Sequence, residues 1–157
     1  MSDAWQSFSA FQVFADHVPV AGSSLMLRLV PDVPSMAACI SSRAPNADPL
    51  DPEFTQLVIR AGLALAQIDG VSLVYASGLE TCVVIDAARV SLVGQSLLIH
   101  DFLVSRFAAR MAILTGAEIA VTGTLYEFPS VDVVRRALAA SLETVQANAP
   151  WRAAFSV

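Results

Sequence analysis

The chain contains no lysine, and all nine of its basic residues are arginine. This absence excludes Schiff-base chemistry and phosphate-binding lysine loops, and the arginine usage is typical of a GC-rich bacterial genome. Two cysteines, Cys39 and Cys82, are too few and too far apart for a disulfide framework or a zinc site. We therefore expect neither, and we predict that Cys82, which lies in an apolar run, is a core residue.

Long apolar runs are also missing, so no segment is expected to span a bilayer. The first residues lack the basic region of a secretory signal. Together these observations predict a cytoplasmic protein that does not associate with membranes.

The charge balance is acidic, with a formal net charge of −5 and an isoelectric point near 4.8. Binding to nucleic acid phosphates depends mainly on clustered basic residues. The only adjacent basic pair is Arg135-Arg136, which we interpret as a solvated helix face. Nucleic acid is therefore not expected as a partner.

Apolar residues make up 55% of the chain, and the mean hydropathy is +0.62. This is more apolar surface than one small core needs, so we predict a homo- or hetero-oligomer formed through apolar helix faces. The residues expected to be exposed for that contact are Trp5, Phe8, Phe11, Ile99, Phe102 and Ile113.

The length of 157 residues predicts a single domain, 1–157. Hydrophobic periodicity predicts an N-terminal helix over 3–17, a β-α-β-β-α-β core over 24–128 and a C-terminal helix over 130–148. That order predicts an α+β fold of the ferredoxin-like type, a four-stranded antiparallel sheet with helices packed on one face. The predicted core elements are strand 25–30, helix 52–68, strands 71–76 and 79–86, helix 91–115 and strand 117–128. Four prolines within 31–50 predict mostly loop there, with a short turn at 35–41.

The hairpin over 71–85 is the most informative segment. A tight turn, Ala76-Ser77-Gly78, joins two β-branched runs, and a single carboxylate, Glu80, follows it. A buried carboxylate must be paired or have a shifted pKa. Arg28, on a neighbouring predicted strand, is its expected partner.

The order of three features along the chain resembles that of the tRNA-histidine guanylyltransferase family, the reverse-direction (3′ to 5′) nucleotide polymerases. They are a strand ending in Arg28-Leu29, a hairpin entered through Val74-Tyr75 and a late strand ending in Phe128-Pro129-Ser130. The resemblance extends from about residue 3 to the end. It implies a polymerase-palm-like domain, assembly into dimers or tetramers, and ancestral magnesium-dependent nucleotidyl transfer.

The chain departs from that family where its chemistry lies. The family's first metal-binding aspartate corresponds to Val30, and its Ser-Asp-Glu corresponds to Gly78-Leu79-Glu80. The segment matching its triphosphate-binding Lys and Arg residues, 90–97, carries no charge, and its Trp-Arg-Gln on the last helix corresponds to Ala140-Ser141-Leu142. One carboxylate cannot hold a two-metal pair. We therefore expect the protein to bind no metal ion or other cofactor. We expect it to be a pseudoenzyme that acts as a binding, scaffold or regulatory subunit.

Two alternatives stay open. In the first, the protein is a repurposed nucleotidyltransferase-like enzyme whose metal ligands are the remnant Glu80 and Asp32. A continued strand would place Asp32 on the same face as Val30. Such an enzyme would use Mg²⁺ and bind a nucleotide or another small ligand. In the second, the protein is a homodimer whose only role is association. No catalytic or nucleotide-binding residue is assigned beyond these two candidates.

Five other polar residues are interpreted structurally. His100 and Asp101 are adjacent on a predicted helix and point about 100° apart, so we do not expect them to contact each other. His17 is expected to complement the dipole at the end of the first helix. Glu118 and Glu127 bracket a predicted strand and are interpreted as rim residues.

Overall fold

The computed structural model describes residues 4–14, 17–43, 52–86, 89 and 96–147. In chain order the elements are a 3-10 helix (Ala4–Phe11), β1 (Ser24–Pro31), α1 (Val33–Arg43), α2 (Pro52–Leu63), a 3-10 turn (Ala64–Gln67), β2 (Val71–Ser77), β3 (Glu80–Ile85), α3 (Ser96–Thr115), β4 (Val121–Phe128) and α4 (Val131–Ala147). The predicted residues 91–95 and 148 of the last two long helices lie outside the described residues.

The four strands form one antiparallel sheet in the order β2-β3-β1-β4. The central strand β1 is paired on both sides, with Leu27 opposite Val83 of β3 and opposite Leu125 of β4. This is the order that a β-α-β-β-α-β unit gives when each crossover helix returns the chain to the sheet. The predicted α+β, palm-like fold class is confirmed.

Both faces of the sheet are covered. Because side chains alternate along a strand, Leu27 of β1 points to one face and Met26 to the other. The first face packs against α1, α2 and α3 in the larger core, as the prediction of helices on one face requires. The second face packs against the N-terminal 3-10 helix and α4, which the prediction did not place there. A side chain on that second face is therefore enclosed by the two chain-terminal helices.

The predicted N-terminal helix over 3–17 is wrong in its length. Helical structure ends at Phe11, and the chain then runs beside β4, where Gln12 bridges Tyr126 and the N–H of Val13 donates to the carbonyl of Leu125 at 3.0 Å. Extended pairing at the sheet edge replaces the last turns of the helix. His17 consequently does not lie at a helix end.

The prediction of mostly loop over 31–50 is also wrong in part, because α1 occupies Val33–Arg43. Asp32 caps this helix: its Oδ2 accepts the N–H of Ser35 at 2.9 Å, and its carbonyl accepts the N–H of Met36 at 3.0 Å. Pro34 falls in the first turn, where a missing N–H costs nothing. Residues 44–50 lie outside the described part of the chain.

Among the described helices, none is both long and apolar enough to cross a membrane.

Candidate functional site

Glu80 opens β3 directly after the hairpin turn, where Gly78 adopts a φ of +59°. It lies opposite Ser77 in the strand pairing. Its side chain lies on the face covered by the terminal helices, and its exposed fraction is 13%. A charged carboxylate this far out of water requires compensating donors.

Four side chains supply them. Trp5 Nε1 donates to both carboxylate oxygens at 3.1 Å, and Arg28 Nε donates to Oε2 at 2.7 Å. Ser141 Oγ donates to Oε1 at 2.7 Å, and Cys82 Sγ lies 3.5 Å from the same oxygen. The expected pairing of Arg28 with Glu80 is thus confirmed, within a larger network than the sequence predicted.

This network uses the whole acceptor capacity of the carboxylate. Two carboxylate oxygens offer about four lone-pair directions, and Oε1 has three neighbours while Oε2 has two. A metal ion would have to displace Trp5 or Ser141 and would meet the guanidinium of Arg28 beside it. Both carboxylate oxygens of Glu80 are therefore already engaged by hydrogen-bond donors from the surrounding side chains.

Aromatic side chains shield the network. The indole of Trp5 is 4% exposed, the guanidinium of Arg28 lies 5.3 Å from its ring centroid, and its ring lies 5.2 Å from that of Tyr126. Phe8 and Phe11 pack against Phe128 beyond it, with ring centroids 6.0 and 5.3 Å apart. The expectation that Trp5 is exposed for association is wrong, because its N–H and its ring both complete the buried site.

Cys82 is buried in this cluster, which confirms its predicted core position. Burial raises the pKa of its thiol well above the ordinary value, and the neighbouring Glu80 carboxylate raises the pKa further through its charge and hydrogen bond, against a lowering by Arg28. The thiol stays protonated, so it can act as a weak donor to the carboxylate.

The sequence reasoning missed Trp5 and Ser141 as partners of Glu80. A signal for Ser141 was available, since it follows Val134 and Ala137 at seven and four residues on the buried stripe of α4. A polar residue on such a stripe requires a partner. No comparable signal marks Trp5, which the sequence pattern assigns to an exposed contact surface.

The second candidate ligand, Asp32, is engaged elsewhere as the cap of α1. Val30 is half-buried opposite Thr122, and Leu79 packs at the edge of the larger core. Within the described ranges, no three His, Cys, Asp or Glu side chains converge in a way that could hold a metal ion.

A second polar cluster gathers around Glu127. Its carboxylate contacts the imidazole of His17 and the hydroxyl of Ser23, and it accepts the backbone N–H of Val20 at 2.6 Å. Burial alone would raise the pKa of Glu127, but the hydrogen bonds from Ser23, Val20 and His17 outweigh burial and lower the pKa below its ordinary value. The interpretation of Glu127 as a rim residue is wrong, as is that of His17 as a partner of a helix dipole. Glu118 is exposed as expected.

His100 and Asp101 do contact each other, contrary to our expectation. Nδ1 of the imidazole lies 2.8 Å from Oδ1 of Asp101, because both side chains lean toward each other from adjacent positions on α3. Nε2 lies 3.0 Å from the carbonyl of Gly123 on β4. Both neighbours are acceptors, so both hydrogen bonds form together only when the ring carries two protons.

Exposure of the apolar side chains only partly follows the expectation. Ile113 is 71% exposed, whereas Ile99 is buried in the larger core. Further exposed apolar residues are Phe14, Val18, Val20, Leu63, Leu73, Leu97, Leu98, Val131 and Leu142. Arg135 and Arg136 are both exposed, as predicted.

No family model matches the chain, and no curated protein matches it in sequence. Solved structures do. A bacterial tRNA(His) guanylyltransferase-like protein in complex with GTP superposes with a TM-score of 0.60 at 14% identity, over 79% of this chain and 60% of the other. The tRNA(His) guanylyltransferase of Saccharomyces cerevisiae gives 0.63 at 10% identity, over 80% and 59%. A bacterial tRNA(His) guanylyltransferase-like protein in complex with ATP gives 0.60 at 14%, over 79% and 55%.

The chain thus spans about three fifths of the length of these structures. At such low identities the likeness concerns the fold, and for the fold it confirms the resemblance inferred from the sequence. The matched proteins are named for guanylyl transfer to tRNA(His), so they give no support to our expectation that nucleic acid is not a partner.

Proposed function

We propose that this protein is a catalytically degenerate relative of the tRNA-histidine guanylyltransferases and acts as a binding, scaffold or regulatory subunit. One observation carries the proposal. The only carboxylate of the hairpin, Glu80, is consumed by hydrogen bonds from Trp5, Arg28 and Ser141.

The ancestral chemistry needs what this site lacks. Two-metal phosphoryl transfer requires two ions that neutralise charge on the attacking and leaving oxygens. Val30 and Leu79 stand where the resemblance implies ligand carboxylates, and neither side chain can bind a cation. The uncharged segment 90–97 adds no cation for a triphosphate.

The contacts of Arg28 and Glu80 indicate that the charged groups of the ancestral site were replaced by new hydrogen-bond partners and were not simply lost. A vacated charged site would leave buried carboxylates and guanidinium groups unpaired, at a cost of several kcal/mol. Here Arg28 keeps a partner, and the hydroxyl of Ser141 replaces the arginine that the resemblance implies at that position of α4. The former site face therefore serves as a second core that stabilises the domain.

The first experiment is a guanylyl-transfer assay with purified protein, labelled GTP, Mg²⁺ and tRNA. We expect no incorporation above background. Magnesium-dependent incorporation that is lost in Glu80→Ala would overturn the proposal. The variant Val30→Asp with Leu79→Asp tests the ligand positions, and we expect it to raise divalent-ion affinity without restoring transfer.

Co-purification from the native host then tests the subunit role. A stoichiometric partner that stays bound during gel filtration supports a binding or scaffold subunit. Self-association alone favours the other alternative, a homodimer whose only role is association.

The competing proposal is a repurposed nucleotidyltransferase-like enzyme in which Glu80 and Asp32 bind Mg²⁺ and a nucleotide. Titration calorimetry with nucleoside triphosphates, with and without Mg²⁺, separates the two. Tight binding that requires both Mg²⁺ and Glu80 would favour the enzyme.

A further inference from the structure

A cleft lies on the other side of the sheet from Glu80. It has a volume of about 320 Å³ and separates the 3-10 turn that follows α2 from the middle of α3. The residues that line it are Ala64, Leu65, Gln67, Ile68, Arg106 and Arg110. The walls are thus mostly apolar on the side of the 3-10 turn and cationic on the side of α3.

Arg106 and Arg110 are one helical turn apart, so both guanidinium groups project from the same face of α3. The only acidic residue of α3 is Asp101, whose carboxylate contacts His100. Within the described ranges, neither arginine forms an ion pair with a carboxylate. Arg106 lies over the ring of Phe102, with its guanidinium carbon 5.4 Å from the ring centroid.

This placement is electrostatically unfavourable for the chain alone. Like charges at i and i+4 of a helix repel each other and destabilise it. The chain has five more acidic than basic residues, so carboxylates that could offset the two arginines are abundant. Within the described residues, none of these carboxylates is paired with Arg106 or Arg110. An anion that is not part of the described chain would remove the repulsion.

We propose that this cleft binds a small phosphomonoester. Two guanidinium groups match the charge of a phosphate dianion, and their planar donors suit its oxygens. The amide of Gln67 can donate a further hydrogen bond, while the partly exposed Ala64 and Ile68 offer apolar contact to the organic part. The volume lies at the small end of ligand sites in proteins, which fits a small molecule.

The test is titration calorimetry with three probes: phenyl phosphate, inorganic phosphate and phenyl sulfate. The doubly charged phenyl phosphate should bind with one site per chain. It should bind about tenfold more tightly than inorganic phosphate, because only the ester contacts the apolar wall. It should also bind more tightly than phenyl sulfate, which has the same shape and one charge fewer. Lowering the pH from 7.5 to 5 should weaken phenyl phosphate binding, since a phosphomonoester takes up a proton near pH 6.

The decisive variant is Arg106→Gln with Arg110→Gln. The matched control is Arg135→Gln with Arg136→Gln, which removes the same charge from exposed positions of α4 on the other side of the sheet. We expect the first pair to weaken phenyl phosphate binding at least tenfold and the control pair to change it less than twofold. Circular dichroism and thermal unfolding establish that both variants are folded.

Three results would overturn the site. An equal loss in both double variants would indicate a delocalised charge effect, and equal affinity for phenyl phosphate and inorganic phosphate would exclude a role for the apolar wall. Absence of saturable binding to the unaltered protein would contradict the proposal directly. None of these results bears on Glu80, so they leave the proposed function untouched.

Discussion

Ser141 on α4 donates a hydrogen bond of 2.7 Å to Glu80, which precedes it by 61 residues and opens β3. The contact joins the C-terminal helix to the hairpin that resembles a polymerase metal site. Trp5 reaches the same carboxylate from the N-terminal 3-10 helix. The N-terminal 3-10 helix and α4 are therefore both tied to one carboxylate, which gives the first prediction.

Glu80→Ala should lower the free energy of unfolding by about 3 kcal/mol. Removing one partner of a buried charge pair is strongly destabilising, and here Arg28, Trp5 and Ser141 would each lose the hydrogen bond to this carboxylate. Urea unfolding followed by tryptophan fluorescence measures the loss. The matched control is Glu118→Ala at an exposed glutamate, expected to change stability by less than about 0.5 kcal/mol. Equal effects of the two variants would show that the Glu80 network contributes nothing.

Glu127 should make stability depend on pH in the acidic range. Its pKa is lowered in the folded protein, so its contribution is fully present above the ordinary value of 4.5 and is lost as the pH falls through the lowered value. Glu127→Gln should therefore be less stable than the unaltered protein at pH 7, by about 1–3 kcal/mol. The difference should shrink in denaturation series run from pH 5 to pH 2. A difference that stays constant with pH would exclude Glu127 as its source, and Glu118→Gln is the control.

Gly123→Ala should destabilise the contact between α3 and β4. A Cβ atom at this position would lie 2.5 Å from Cγ2 of Val104 and 2.8 Å from Nε2 of His100. The side chains of Val104 and His100 would have to shift and disturb the packing of α3 on β4, at a cost of about 1–3 kcal/mol. Adding Val104→Ala to the same chain should recover part of the loss in thermal unfolding. If Gly123→Ala unfolds at the unchanged temperature, the close approach is not real.

Cys82 should resist alkylation in the native protein. Its thiol is buried, and its pKa is raised by burial and by Glu80, whereas the thiolate is the reactive species. With iodoacetamide at pH 7.5, we expect labelling about a hundredfold slower than in urea, with mass spectrometry locating the modified residue. The urea-unfolded sample controls for reagent activity. Rapid native labelling of Cys82 would contradict the buried position.

The sequence by itself determined the order of the strands and of most helices, and it identified Arg28 as the partner of the Glu80 carboxylate. Strands and helices follow from apolar periods of about 2 and 3.6 residues, which depend only on local geometry. The pairing of Arg28 with Glu80 could be predicted because a buried carboxylate on a central strand needs a cation and only one lay on a neighbouring strand. Local pattern failed at α1, where Pro34 suggested a loop but falls in the first turn that tolerates it.

Tertiary structure alone decided the rest of the site. The indole N–H of Trp5 and the hydroxyl of Ser141 reach Glu80 from opposite ends of the chain, and no local signal specifies which buried carboxylate each will meet. The sheet brings them together because the terminal helices cover the face opposite to the crossover helices. Burial on that face, together with the donors it supplies, makes Glu80 a structural anion. The same carboxylate on an open hairpin would remain available to a metal ion.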